Sequence, residues 1–158
     1  MPTPLTVRPA TRADIPVLAA FNAAMAWETE RKRLDPERLA RGIAGPFEQP
    51  GRGRYFVAER EGAVVGSLLV TYEWSDWRDG DWWWIQSVYV AEPARRQGVF
   101  RALYAELERE ARATPGVVGL RLYVERENQR AQGTYLALGM EQCHYHMYER
   151  AFIELAQG

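Results

Sequence analysis

The run from Trp82 to Arg101 constrains this chain more than any other stretch. Trp82 to Val90 is aromatic and β-branched, the composition of a strand, and Ala91-Glu92-Pro93 ends it because proline cannot continue a hydrogen-bonded ladder. Arg95-Arg96-Gln97-Gly98-Val99-Phe100-Arg101 follows without a linker. It leads into a segment with Val99, Leu103, Leu107 and Ala111 on one face of a helix. A helix start presents N–H groups that lack intrahelical partners, and the helix dipole adds partial positive charge there. Gly98 lets a ligand approach the backbone, and Arg95, Arg96 and Arg101 surround it. This is an anion site suited to a pyrophosphate. It is not a P-loop, because no Gly-Lys-Ser/Thr follows, and it lacks the three glycines of a dinucleotide fingerprint. A helix start with solvated arginines accounts for the same residues equally well.

The rest of the chain alternates short strands and helices, which predicts a single α/β or α+β domain over residues 1–158. Leu5 to Arg8 reads as a strand. Thr11 to Asp14 resembles a capping box and opens a helix to about Trp27. Asp35-Pro36 starts a second helix that fades near Gly42 to Gly45. Arg54 to Arg60 and Ala63 to Tyr72 form a hairpin, Glu73 to Gly80 a loop, and Val117 to Val124 a strand. Asn128 to Leu138 is a helix closed by Gly139, and Cys143 to Tyr148 is a last strand.

Composition narrows the function. Lys plus Arg number 20 and Asp plus Glu 21, so the net charge is −1 and no general nucleic-acid surface is expected. Every lysine or arginine but Lys32 is an arginine, the side chain better suited to phosphates. With one cysteine, Cys143, neither an intrachain disulfide nor a cysteine-based zinc site can form. Cys143 alternates with Tyr145 and Met147 and reads as an ordinary buried thiol. His144 and His146 would share a strand face, but no third ligand is evident, so no metal is expected. There is no signal peptide and no apolar run long enough to span a membrane, so the expected location is the cytoplasm, without a membrane partner.

Two motifs together carry a family resemblance. Arg95-x-x-Gly98 after the strand ending at Val90 resembles the acyl-CoA pyrophosphate loop of the GCN5-related N-acetyltransferase (GNAT) superfamily. Asn128-x-x-Ala131-x-x-x-Tyr135-x-x-Leu138-Gly139-Met140 resembles that superfamily's next helix. The order of elements agrees from about Val7 to Tyr148, while Phe100 stands where the loop often has Gly or Ala. The resemblance implies a central mixed, mostly antiparallel sheet flanked by helices and splayed between strands four and five, with acetyl-CoA in the opening. Backbone groups of Val88 and Val90 would pair with the pantetheine arm, as an added strand does. The pyrophosphate would rest on Arg96, Gln97, Gly98, Val99, Phe100 and Arg101, with Arg95 and Ala131 beside the cofactor. Asn128 would hold the arm as well as capping its helix.

Acetyl transfer needs a deprotonated amine, a polarised carbonyl, a proton for the leaving thiolate and two reactants held together. The resemblance implies the Val88 N–H as polariser. Tyr135 is the candidate acid, because Ala131, Tyr135 and Leu138 share a helix face. A phenol near pKa 10 gives its proton to a thiolate near 8.5 uphill by roughly 2 kcal/mol, so either the site lowers the tyrosine's pKa or transfer is concerted. The general base stays open. Some relatives carry a glutamate on strand four where this chain has Trp84, leaving Glu28, Glu73, Asp76 and Asp81 to act through water. Five tryptophans lie between Trp74 and Trp84, interleaved with carboxylates. Glu28, Glu73, Trp74, Asp76 and Trp84 are therefore candidates for an acceptor pocket that attracts a cationic amine. The expected activity is direct acetyl transfer to a small polar or cationic primary amine. A peptide or protein amine, or a non-catalytic acyl-CoA-binding module, is the alternative. A homodimer is allowed and not specified.

Overall fold

The computed structural model describes residues 3–157. Its elements are β1 (Thr6–Pro9), α1 (Ile15–Glu30), β2 (Arg33–Leu34), α2 (Pro36–Glu48), β3 (Arg54–Arg60), β4 (Ala63–Ser75), β5 (Gly80–Val90), α3 (Val99–Ala113), β6 (Val117–Arg121), α4 (Gln129–Ala137) and β7 (Ala156–Gln157). Two compact units result. One runs to Arg121 and takes in the chain's end from Leu155; the other is Leu122–Glu154. Among the described residues, no helix is long and apolar enough to cross a membrane.

The first unit is built on a five-stranded sheet in the order β1-β3-β4-β5-β6. Every pairing is antiparallel except β5 with β6. This is the mixed, mostly antiparallel sheet that the family resemblance implies. Tyr55, Phe56, Val57 and Ala58 of β3 are all buried, so helices must cover both faces of this strand. On one face Tyr55 and Val57 cluster with Leu18 of α1 and Ile43 of α2. On the other, α3 buries Val99, Leu103, Tyr104, Leu107 and Ala111, which include all four residues of its predicted stripe. Burial of each larger side chain contributes roughly 1.5–3 kcal/mol.

Local chemistry sets the element ends. The Thr11–Asp14 capping box forms, with the Thr11 N–H donating to Asp14 Oδ2 at 2.7 Å. Arg8 ties the same carboxylate to β1 at 2.7 Å. Asp35 caps α2 by accepting from the Glu37 N–H. The helix then runs through Gly42–Gly45 to Glu48 instead of fading, because Ile43 and Phe47 anchor it in the core. The expected loop at 73–80 is largely ladder. The β4–β5 pairing continues to Ser75 opposite Gly80, leaving four turn residues. Two unpredicted short strands, β2 and β7, pair antiparallel. The strand expected to reach Val124 ends at Arg121.

In the second unit, α4 starts at its Asn128 cap, whose Oδ1 accepts from the Ala131 N–H at 3.1 Å. It closes at Gly139 (φ +95°), where the Met140 N–H donates to the Tyr135 carbonyl. The expected strand at Cys143–Tyr148 does not form. These residues carry no ladder and are exposed, and Cys143 is an exposed thiol rather than a buried one. Alternation of side chains supplies only half of a strand; the other half is a hydrogen-bonding neighbour.

Candidate active site

The site turns on an irregularity in β5. Gly66 faces Val90 and Ser67 faces Tyr89, yet the next partner pair is Leu69 with Gln86. Ser87 and Val88 therefore stand opposite Leu68 alone, a β-bulge, with Ser87 in the left-handed region (φ +52°). The Ala91 N–H donates to Val65 O at 2.9 Å, so Ala91 and Tyr89 face β4. Alternation turns the peptide groups of Val88 and Val90 to the opposite edge. On that edge, among the described residues of this unit, β6 pairs with Asp81 to Trp84 and the strand from Ile85 to Val90 has no ladder partner. This is the splay between the fourth and fifth strands of the main sheet.

A 3-10 turn at Glu92–Ala94 joins the open edge to the arginine loop. Arg96 (φ +64°) and Gly98 (φ +79°) are both left-handed, a conformation that turns successive N–H groups toward one concavity. A Cβ at Gly98 would meet nothing within 4 Å, so its φ is the reason for glycine there. α3 begins at Val99, and the first helix-type bond is Ala102 N–H to Gly98 O at 3.0 Å. The Val99 side chain is buried, so only its backbone can serve a ligand. The ring of Phe100 packs against Tyr104. Arg96 and Arg101 are exposed, while Gln97 is occupied by the Pro93 carbonyl and the Arg60 guanidinium.

Arg95 does something else. Its Nε donates to the Val90 carbonyl at 2.9 Å, and its outer nitrogen pairs with the Glu28 carboxylate at 3.1 Å. Its guanidinium also lies over the Tyr89 ring, 5.4 Å from the centroid. It thus ties the end of α1 to the end of the open strand. Burial, and then the neighbouring Glu28, hold the Tyr89 phenol above its ordinary pKa. Phe21 packs on Tyr89 at 5.0 Å between centroids.

Further along β5 the acidic and aromatic candidates separate. Glu73 accepts from Trp84 Nε1 at 2.8 Å and from Arg121 at 3.1 Å, and Arg121 stacks over Trp82 at 3.9 Å. Trp74 and Asp76 lie at the hairpin tip, where Trp74 pairs with Asp81 and Asp76 accepts from the Trp77 N–H. At about 3.3 Å per residue, Trp84 is roughly 13 Å from Val88 along the strand and Asp81 roughly 23 Å. Along the strand Trp84 therefore lies nearer the bulge than the hairpin tip does, while Glu28 sits beside Arg95 at the strand's other end. Trp83 packs in the core against Tyr72. Nothing in the sequence marks Ser87, Tyr89, Phe21 or Arg121 as site residues. Ser87 and Tyr89 are placed by strand register, Phe21 by packing from α1 onto Tyr89, and Arg121 by its pairing with Glu73 over Trp82.

In the second unit, Asn128 spends its side-chain oxygen on the helix cap, and Ala131 and Tyr135 are half-buried on α4. Burial pushes the Tyr135 phenol above its ordinary pKa, the reverse of the lowering considered from sequence. An apolar cavity of about 290 Å³ lies among Phe47, Tyr55 and Tyr72 and shares no lining residue with the open edge. Among the described residues no group of three or more His, Cys, Asp or Glu could hold a metal.

Comparison with known proteins places this geometry. The family model described as "Acetyltransferase (GNAT) family" matches residues 18–140. A solved structure titled a possible acetyltransferase from Clostridium difficile 630 is 41% identical, covers 95% of this chain and 99% of its own, and superposes with a TM-score of 0.88. Two structures of the aminoglycoside N-acetyltransferase AAC(6')-Iy share the fold at 15% identity. One, with a bisubstrate analogue, has a TM-score of 0.77 and covers 96% of this chain and 100% of its own. The other, in complex with CoA, has a TM-score of 0.78 and covers 97% and 98%. No curated protein matches in sequence. With the family model spanning most of its length and a 41% identical relative aligned end to end, the chain belongs to the GNAT acetyltransferase family.

Proposed function

We propose that the chain moves an acetyl group from acetyl-CoA directly to a primary amine of a small polar or cationic molecule. One observation carries this reading: the edge of β5 left unpaired among the described residues of its unit is followed, after a single 3-10 turn at Glu92–Ala94, by a left-handed loop and the start of α3. An acyl-CoA has an amide-bearing arm followed by a pyrophosphate, and the chain offers a strand edge followed by a concave set of N–H groups. Val88 and the Val90 N–H would hold the arm. Backbone groups from Arg96 to Arg101, with the exposed Arg96 and Arg101 guanidinia, would hold the pyrophosphate. Asn128 and Ala131 would flank the arm. Acetyl-CoA when bound supplies an acetyl group activated as a thioester.

The protein supplies positioning, one donor and one proton. The Val88 N–H, displaced by the bulge, donates to the carbonyl oxygen as charge builds there. The Tyr135 hydroxyl holds the proton for the departing sulfur. Burial keeps that phenol protonated at neutral pH and makes early ionisation costly, so the proton moves in concert with bond cleavage. The acceptor amine is drawn to the α1 side of the open edge by Glu28 and the face of Trp84. Glu28, braced by Arg95, is the carboxylate assigned to orient the water that takes the amine's proton. Glu73 steadies Trp84, and Trp74 and Asp76 take no part.

A non-catalytic acyl-CoA-binding module is the competing reading, favoured by the guanidinium pairing of both Glu28 and Glu73. Calorimetric titration with CoA and a thiol-release assay over a panel of small amines separate the two. Saturable CoA binding with amine-dependent thiol release is expected. Binding without release would establish the module, and no binding would overturn both.

A further inference from the structure

The apolar cavity of about 290 Å³ has no part in acetyl transfer, and its size is near the lower end of small-molecule sites. It lies where β1 gives out. The Ala10 N–H donates to Tyr55 O at 2.8 Å, and beyond that bond the end of α2 closes the corner. The walls are stiff and flat. Pro46 and Pro50 have fixed φ and no N–H, so neither can rearrange to fill the space. Phe47 stacks on Tyr55 with 5.9 Å between ring centroids and 14° between the ring planes. Such faces suit a flat apolar body.

Three lining side chains carry polar groups, and each can donate a hydrogen bond. Tyr55 is 6% exposed, yet among the described residues its hydroxyl has no hydrogen-bond partner. Burial alone pushes this phenol up to about 12, so it keeps its proton. The Tyr72 hydroxyl likewise has no hydrogen-bond partner among the described residues, and burial raises its pKa against the pull of the nearby Arg54. Arg54 is the one charged residue in the lining. Its Nη2 meets Glu110 Oε1 at 3.3 Å, long beside the roughly 2.7–2.9 Å of a charge-assisted pair, and Glu110 Oε2 is buried without a partner. The cavity thus keeps donors that its own walls do not satisfy, and buried donors left unmet are rare in folded chains.

We infer that this cavity is a binding site for a small aromatic carboxylate. The ring lies among Phe47, Tyr55 and the two prolines, and the carboxylate accepts from the Arg54 guanidinium and from the Tyr55 and Tyr72 hydroxyls. A neutral aromatic would leave the guanidinium unmet, and a cation would be repelled by it. The site shares no lining residue with the open edge of β5, so the inference is independent of the acetyl-transfer reading.

Calorimetric titration of the full chain with benzoate is expected to show one saturable site per chain. No saturable binding at millimolar benzoate overturns the proposal. Benzamide has the same shape without the charge and should bind about tenfold more weakly or worse; equal affinity overturns the assignment to an anion. Arg54→Gln should weaken benzoate by about tenfold or more, and Tyr55→Phe by about threefold or more. Tyr55→Phe removes only an unpartnered oxygen and keeps the fold, so it decides even where Arg54→Gln does not fold. Benzoate affinity unchanged in folded Tyr55→Phe places the anion elsewhere and overturns the proposal.

Discussion

Gly66 is where the sheet and the start of α3 meet most closely, and replacing it with alanine tests how the loop before α3 is held. The new Cβ would lie 2.6 Å from Val99 Cγ1, whereas ordinary carbon contacts are about 3.5–4.0 Å, so roughly 1 Å has to be found. Tyr89 O at 3.3 Å and Leu103 Cδ1 at 3.5 Å stand in the way of a sideways shift. Val99 and Leu103 are fully packed, so the first turn of α3 must lift from the sheet. Overpacking of this kind costs about 1–3 kcal/mol. For a chain of this size that lowers Tm by roughly 2–12 °C, read by circular dichroism. Val99→Ala alone removes two methyl groups and costs about 1.6 kcal/mol of burial. It also removes the atom that clashes, so Gly66→Ala in the Val99→Ala background should cost little, giving a coupling of about 1 kcal/mol or more. CoA affinity should fall in Gly66→Ala and recover in the double variant. Strictly additive Tm losses, or a Gly66→Ala melt equal to wild type, would refute the packing of α3 onto Gly66.

Tyr135→Phe is expected to lower kcat by about 10²–10⁴ while CoA binding by calorimetry is unchanged; equal losses in both would remove its role as acid. Asp14→Asn should destabilise by about 1–3 kcal/mol at neutral pH, because a buried charge-assisted pair with Arg8 is lost while the cap can persist. Arg8 lowers the folded pKa of Asp14, so the wild-type advantage is complete above the ordinary carboxylate range and fades as pH falls below about 4. Melts from pH 3 to 7 check this, and an advantage that grows on acidification would contradict it. Glu28→Gln should lower kcat as well as raise KM for the amine, and leave Tm within about 1 °C, since its pair with Arg95 is exposed; steady-state kinetics and a melt read these effects.

α3 was legible because it buries one clean helical stripe, and the β3–β4 hairpin because two β-prone runs flank the Glu61-Gly62 turn, even though β3 is buried on both faces. Both depend on which residues are apolar or β-prone, and each residue reports that by itself. The failures share a cause. Whether Cys143–Tyr148 is a strand depends on a neighbour, which no local pattern supplies. The extension of β4 to Ser75 depends on what Gly80 faces. The bulge at Ser87–Val88 is a relation between two strands, and serine is an ordinary residue to find beside one. A motif could therefore point to the loop at Gly98, while the left-handed Ser87 that aims Val88 had no counterpart in the sequence.

The arginine bias also changes meaning once the partners are known. Arg54 pairs with Glu110 and lies 4.7 Å from the Phe56 ring. Arg95 pairs with Glu28 over Tyr89, and Arg121 pairs with Glu73 over Trp82. In each case a planar fork meets a carboxylate with its nitrogens while its flat face covers a ring. A lysine ammonium, a compact and strongly hydrated point charge, does this poorly. Proximity to Gly98 therefore does not by itself assign an arginine to the anion. Arg95 is engaged in joining α1 to the open strand, so in the proposed binding mode the charge that meets a pyrophosphate would come from the loop's backbone together with Arg96 and Arg101. The cluster that looks uniform in sequence divides into one arginine held by a carboxylate and two that are exposed, and the division follows from where the nearest carboxylate lies.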